Sequence, residues 1–138
     1  MTPEQITLVR STFAKVVPIS ETAAQLFYDR LFALDPTVQP LFTGDMKAQG
    51  VKLMRMIGTV VSKLTQLEEL VPALQDLALR HVGYGVENRH YATVGEALLW
   101  TLEQGLGEDF NDEVKAAWTQ AYALLSSTMI DAANSRVA

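Results

Sequence analysis

Two histidines are the side chains in this sequence best suited to bind a transition metal, and one of them, His81, has a distinctive setting. It closes an amphipathic segment that begins at Val71, in which apolar residues recur three and four positions apart. A neutral imidazole is the commonest metal ligand in proteins, and one held by a helix can face a pocket rather than water. His81 is therefore a candidate haem ligand, with an inert surface or core histidine as the alternative.

The elements that must position this histidine are helices. Apolar residues recur at helical spacing nearly everywhere, while sustained alternation and hairpin-turn dipeptides are missing, so the pattern predicts an all-α chain. Thr2, Pro3 and Gln5 form a capping-box pattern, and Ser20 and Asn111 are further predicted helix caps. The predicted helices run from Pro3 to about Pro18, Ser20 to Leu34, Met46 to Leu67, Glu68 to Gly83, Arg89 to Leu106 and Asp112 to Ala132, with a short turn at Thr37–Pro40 and a frayed tail at Ala133–Ala138.

The composition excludes several classes of protein. The net charge is −5 and no cluster of Lys and Arg occurs, so nucleic acid is not an expected partner. No segment predicts a membrane span or a signal peptide, and the lack of cysteine excludes disulfides and thiolate-ligated metals. We expect a cytoplasmic protein with a single domain over residues 1–138.

Three features occur together that would be unusual in a plain helical bundle. The corner from Pro36 to Phe42 presents a large aromatic side chain between two predicted helices. Gln49 begins the apolar face of the long helix, with Leu53 one turn later, and His81 closes the helix that follows. This order and spacing resembles the globin family.

Three segments are similar to single-domain bacterial haemoglobins and to the globin part of flavohaemoglobins: Phe27–Phe32, Pro40–Phe42 and His90–Gly95. The resemblance extends from about Gln5 to Met129. It implies a globin fold with a three-over-three helical sandwich around a haem b. The complete first helix and the substantial helix before His81 argue against the truncated two-over-two form.

The resemblance also implies roles for four pocket residues. His81 would be the proximal iron ligand, and Phe42 would press its ring against the porphyrin. Tyr28 and Gln49 would lie over the distal face, where bound oxygen carries partial negative charge. Each donor would stabilise the bound oxygen by about 1–3 kcal/mol, which slows its dissociation by a factor of roughly 5 to 150. The alternatives are a core Tyr28 bonded to backbone, a solvated Gln49 and a Phe42 that serves ordinary packing.

Further residues would complete the pocket if the resemblance holds. The apolar neighbours of the gas and of the porphyrin are Leu53, Leu77, Val86, Val94 and Leu98, which the sequence alone does not distinguish from ordinary core. Arg80 and Lys52 are candidate partners of the haem propionates, or solvated surface charges. The distal helix has no histidine, so the sixth iron position is expected to be open or to hold water.

On the proximal side the sequence departs from the flavohaemoglobin pattern. That family tunes the proximal histidine with a tyrosine and a glutamate, and Tyr91 matches the tyrosine. The glutamate aligns with Ala133, and Asp131 is about 200° away around a helix, so the sequence does not supply the family's hydrogen bond from a glutamate to the proximal histidine. His90 matches no iron ligand in the family and is predicted to be a surface or pocket-edge residue.

Three functions follow from the resemblance. The leading one is reversible, high-affinity binding of oxygen, with NO and CO as further ligands, by a monomer or homodimer. The second is dioxygenation of nitric oxide, for which a separate reductase is expected because the sequence has no glycine fingerprint of a dinucleotide-binding domain. The third is a haem-based gas sensor.

Overall fold

The structure is a computed structural model that describes residues 1–42, 44–83 and 88–137, with the side chains of these ranges other than those at 67, 82, 83, 88 and 132–137. Helices account for nearly all of these residues, which confirms the all-α prediction. The α-helices are α1 (Pro3–Val16), α2 (Ser20–Leu34), α3 (Met46–Ser62), α4 (Leu67–Gly83), α5 (Asn88–Leu106) and α6 (Asp112–Val137). Short 3-10 helices occupy Val17–Ile19, Pro36–Leu41 and Gly107–Asp109.

The helix starts follow local chemistry in most cases. Thr2 and Gln5 form the predicted capping box, because each side chain bonds to the backbone N–H of the other, at 3.1 and 3.0 Å. Asn111 caps α6 by accepting from the Val114 N–H. The predicted Ser20 cap is wrong. The 3-10 turn before α2 leads directly into the helix, so that Ser20 is its first residue and Ile19 occupies the cap position without a side-chain bond.

Two predicted helix ends are also wrong. Helix α3 ends at Ser62 rather than Leu67, because Arg10 donates to the carbonyl groups of Val61 and Ser62, which the next helical turn would otherwise use. Helix α6 continues to Val137, beyond the predicted frayed tail at Ala133. No glycine or proline follows Asp112 to end it.

The helices pack as a three-over-three sandwich, the predicted globin architecture. Among the described residues, the most extensive helix contacts are those of α2 with α5, α4 with α6 and α1 with α6. A buried hydrogen bond joins α1 to α6, since the Trp118 indole N–H donates to the Thr12 hydroxyl at 2.8 Å. Among the described residues, no helix is long and apolar enough to cross a membrane.

The apolar interior divides into two clusters. The larger cluster joins residues of all six α-helices, and includes Val9 and Trp118. The smaller one is formed by α2, the 3-10 helix Pro36–Leu41, α3 and α5, with Phe27, Tyr28 and Leu31 at its centre. Leu98 contacts both clusters. The smaller cluster contains most of the residues that the sequence assigns to the distal pocket.

Candidate functional site

Tyr28 lies in the middle of α2 and is only 6% exposed. Burial raises the pKa of its phenol, and the side-chain amide of Gln49 lowers that pKa by hydrogen bonding to it, the weaker of the two effects. The two residues are on different helices, so this interaction depends on how α2 packs against α3. The structure thus brings together the phenol and the amide that the sequence assigned to the distal face.

Phe42 belongs to an aromatic group around Tyr28. Its ring centre lies 5.3 Å from that of Tyr28 and 5.4 Å from that of Phe32, both in edge-to-face arrangements. Phe27 makes a similar edge contact with Tyr28 at 5.0 Å. Phe42 directly follows the 3-10 helix Pro36–Leu41, and Asp35 caps the start of that helix by accepting from the Thr37 N–H.

Helix α3 supplies two of the predicted distal residues. Gln49 and Leu53 are one turn apart, and both are half-buried. Leu53 packs against the smaller apolar cluster and also lines a cavity of about 20 Å³, together with Phe27 and Leu98. That volume has room for a water-sized molecule. The lining of this cavity is almost entirely apolar, so a diatomic gas beside Leu53 would meet an apolar surface.

His81 is half-buried in the last turn of α4. Its Nδ1 atom lies 2.7 Å from the carbonyl oxygen of Leu77. Because a carbonyl oxygen can only accept, Nδ1 carries the ring proton and the neutral imidazole has its lone pair on Nε2. Burial lowers the pKa of His81 more than the Leu77 carbonyl raises it, and the nearby Arg80 lowers it further. This is the protonation state that a metal-binding histidine needs.

The other predicted lining residues divide between the two clusters. Leu77 packs against the larger cluster and Val94 against the smaller, and both are half-buried like Leu98. Tyr91 is buried in the larger cluster, and burial raises the pKa of its phenol. Val86 lies outside the described residues.

The proximal side contains a tyrosine that the sequence did not single out. The Tyr122 hydroxyl, on α6, donates to the backbone carbonyl of Tyr91. Burial raises the pKa of Tyr122, as does the neighbouring Tyr91 phenol. The Tyr122 ring lies so close to Gly95 that a Cβ there would meet it at 2.7 Å. A glycine one turn after Tyr91 is the only sequence signal of this contact, and it is too weak to interpret alone.

The charged residues near the site differ in their surroundings. Arg80 pairs with Asp76 at 3.4 Å on the surface of α4, while Lys52 is exposed on α3. His90 is 6% exposed, so the prediction of a surface or pocket-edge residue is wrong. It lies in the first turn of α5, where that helix meets the end of α2, and its Nε2 atom is 3.9 Å from the Asp35 carboxylate.

These features fit a haem. The prosthetic group has a flat apolar face and is commonly held by an imidazole, and His81 would hold it in the neutral state that its Nδ1 bond to Leu77 favours. Phe42, Leu53 and Val94 are apolar yet only half-buried, which leaves a surface for such a face to cover. Among the described residues, α4 packs chiefly on α6, whereas α2 packs on α3 and α5. The histidine helix and the aromatic group are thus not packed tightly on each other.

Comparison with known proteins agrees with this class of site. The globin family model matches residues 25–129. The flavohemoprotein of Xylella fastidiosa (strain Temecula1) is 30% identical over 132 residues, 94% of this chain and 33% of that protein. The anaerobic nitrite reductase AHB2 of Arabidopsis thaliana is 37% identical over 113 residues, 80% of this chain and 70% of that protein.

A solved globin structure has the same fold. A bacterial globin from Campylobacter jejuni superposes with a TM-score of 0.87 at 26% identity, and the match covers 99% of both chains. The architecture and the imidazole on α4 define the class of haem-binding helical sandwiches. The chain belongs to the globin family. It spans about one third of the length of the flavohemoproteins that it matches.

Proposed function

We propose that this globin binds haem b through His81 and binds oxygen reversibly and with high affinity. The observation that carries the proposal is the Tyr28 phenol, which is only 6% exposed among aromatic rings and has the Gln49 amide near enough on the neighbouring helix to lower its pKa. Two hydrogen-bond donors in a largely apolar pocket are suited to holding a small ligand that gains negative charge. They are poorly explained as packing, because a buried polar group without such a role adds a desolvation cost.

The chain's own residues determine how tightly the gas is held. Haem, when bound, supplies the iron at which a diatomic gas binds reversibly. Tyr28 keeps its proton at neutral pH, because burial raises its pKa above the ordinary value of 10.0, so the phenol is a donor throughout the physiological range. The Gln49 amide is a second N–H donor, and Leu53 keeps the surrounding surface apolar. His81, held by the Leu77 carbonyl, would present Nε2 to the haem iron.

Oxygen release from the purified holoprotein tests this proposal. Each of Tyr28→Phe and Gln49→Leu should accelerate oxygen dissociation in stopped-flow displacement by carbon monoxide, by a factor of roughly 5 to 150. Gln25→Leu removes an exposed amide from α2, so this control should leave the rate within about twofold. Equal rates in the parent, Tyr28→Phe and Gln49→Leu proteins would refute the proposal.

A second candidate function is the oxidation of nitric oxide to nitrate. It is favoured by the similarity to flavohemoproteins, which extends over 94% of this chain. The reaction joins one nitric oxide, one oxygen molecule and one electron into one nitrate ion, so it needs a reductase to supply the electron. Sustained nitrate formation with nicotinamide cofactor and a flavin reductase would support this function. If the same mixture consumed nitrite without oxygen instead, the protein would act like its Arabidopsis relative, whose name is that of a nitrite reductase.

A further inference from the structure

We infer that the contact between Gly50 and Ala24 positions Gln49 against Tyr28, and that Gly50 thereby sets the rate of oxygen release. This inference rests on the proposed oxygen-binding function and assigns a positioning residue to it. Gly50 is the immediate neighbour of Gln49 on α3, and Ala24 lies one turn before Tyr28 on the same face of α2.

The two helices approach each other very tightly at this contact. A Cβ atom added at Gly50 would lie 2.9 Å from the Cβ of Ala24, far inside the ordinary carbon–carbon contact of about 3.5–4.0 Å. Ala24 has no rotatable side chain, so it cannot swing aside, and the backbones of α2 and α3 would have to separate. A separation of roughly 0.6–1.1 Å restores an ordinary contact.

Such a separation is large on the scale of a hydrogen bond. A shift of that size would move the Gln49 amide away from the Tyr28 phenol and from a gas bound beside it, and hydrogen bonds, about 2.7–3.2 Å long, are lost beyond about 3.5 Å. Both residues of the pair lie within one turn of the contact on their own helices, and close-packed interiors transmit strain over such distances. Close packing also explains the glycine itself, since a helix interior otherwise disfavours glycine relative to alanine.

Gly58 provides a matched control on the same helix. A Cβ there would meet the Phe13 ring at 3.5 Å, an ordinary van der Waals contact, and Phe13 belongs to α1 rather than to α2. Gly58→Ala therefore makes the same chemical change in α3 without forcing it away from α2.

The test compares oxygen dissociation in the haem-loaded full chain. Gly50→Ala should accelerate release at least about fivefold, whereas Gly58→Ala should leave the rate within about twofold. Exchanging the two residues in Ala24→Gly/Gly50→Ala returns a single Cβ to the contact and should restore slow release. In the Gln49→Leu protein, adding Gly50→Ala should change nothing further, because the amide through which it acts is gone.

A second measurement reports on position rather than on gas release. In the carbon monoxide-bound protein, the side-chain amide resonances of Gln49 should shift when Tyr28 is replaced by phenylalanine. That response should disappear in Gly50→Ala and return in the exchanged double variant. If Gly50→Ala does not fold, the test relies on Ala24→Gly/Gly50→Ala alone. This double variant must then fold, release oxygen slowly and still show the shift of the Gln49 amide resonances when Tyr28 is replaced by phenylalanine.

The outcomes separate this inference from the function on which it rests. Unchanged release in Gly50→Ala, or a further acceleration when Gly50→Ala is added to Gln49→Leu, overturns the positioning role and leaves oxygen binding intact. A parent protein that does not hold oxygen, or whose release responds to neither Tyr28→Phe nor Gln49→Leu, overturns the proposed function itself.

Discussion

Thr12→Val is expected to destabilise the protein by removing one buried hydrogen bond. The Thr12 hydroxyl accepts from the Trp118 indole N–H at 2.8 Å and donates to the Leu8 carbonyl in its own helix. Thr12 and Trp118 are both 3% exposed, so water cannot replace the lost acceptor. Valine has nearly the same shape as threonine, and the substitution therefore leaves little more than an unsatisfied donor between α1 and α6.

The magnitude follows from that unsatisfied donor. Leaving a buried polar group without a partner costs about 1–3 kcal/mol. For a chain of 138 residues, each kcal/mol lowers the melting temperature by about 3–4 °C, so the expected loss is roughly 3–12 °C. In a double-mutant cycle, Thr12→Val and Trp118→Phe should show a coupling energy of about 1–2 kcal/mol.

Thermal unfolding at a fixed haem occupancy is the assay, because bound haem adds to the apparent stability. Thr7→Val is the matched control. Thr7 is in the same helix and donates to the Pro3 carbonyl at 3.0 Å, the same kind of local bond, but it is exposed and accepts no indole. Its loss should change stability by less than about 0.5 kcal/mol. Equal effects of Thr12→Val and Thr7→Val would refute the reasoning.

Two other features give testable expectations. Gly95→Ala should destabilise the fold by about 1–3 kcal/mol in urea unfolding, because the new Cβ would lie 2.7 Å from the Tyr122 ring, and a midpoint equal to the parent's would contradict this close contact. The hydroxyl of Thr37 holds the pKa of Asp35 below its ordinary 3.8. The ionised Asp35 carboxylate therefore stabilises the fold above pH 3.8, and this stabilisation is lost as the pH falls through the lowered pKa. The melting temperature of Asp35→Asn should therefore approach that of the parent as pH is lowered from about 6 to about 3, and a gap that widens in acid would be inconsistent with that sign.

Local sequence determines much of the fold. The capping box at Thr2, the cap at Asn111 and the helical spacing of apolar residues are all read within a few positions, and the structure agrees with each. The end of α3 was not predictable in this way, because it depends on Arg10, some fifty residues away along the chain. Helix ends set by a distant side chain leave no local pattern.

The same distinction applies to the site. The setting of His81 made it a candidate ligand, while the roles of Tyr28 and Gln49 came from the resemblance to the globins, and all three roles stay predictions. The sequence did not reveal the helix contact at Gly50 or the bond from Tyr122, since both depend on how α-helices cross. A glycine or a tyrosine within a helix has many uses, and only the packed structure distinguishes them.

The most direct test of the proposed haem ligation is the absorption spectrum of the reduced protein with and without His81. Because Nδ1 of His81 donates to the Leu77 carbonyl, Nε2 is the nitrogen expected to bind the haem iron. The parent should give a Soret band that shifts with oxygen and carbon monoxide. His81→Gly should lose the histidine-ligated spectrum and regain it with added imidazole, while His90→Gln should keep it. A parental spectrum in His81→Gly without imidazole would contradict ligation by His81.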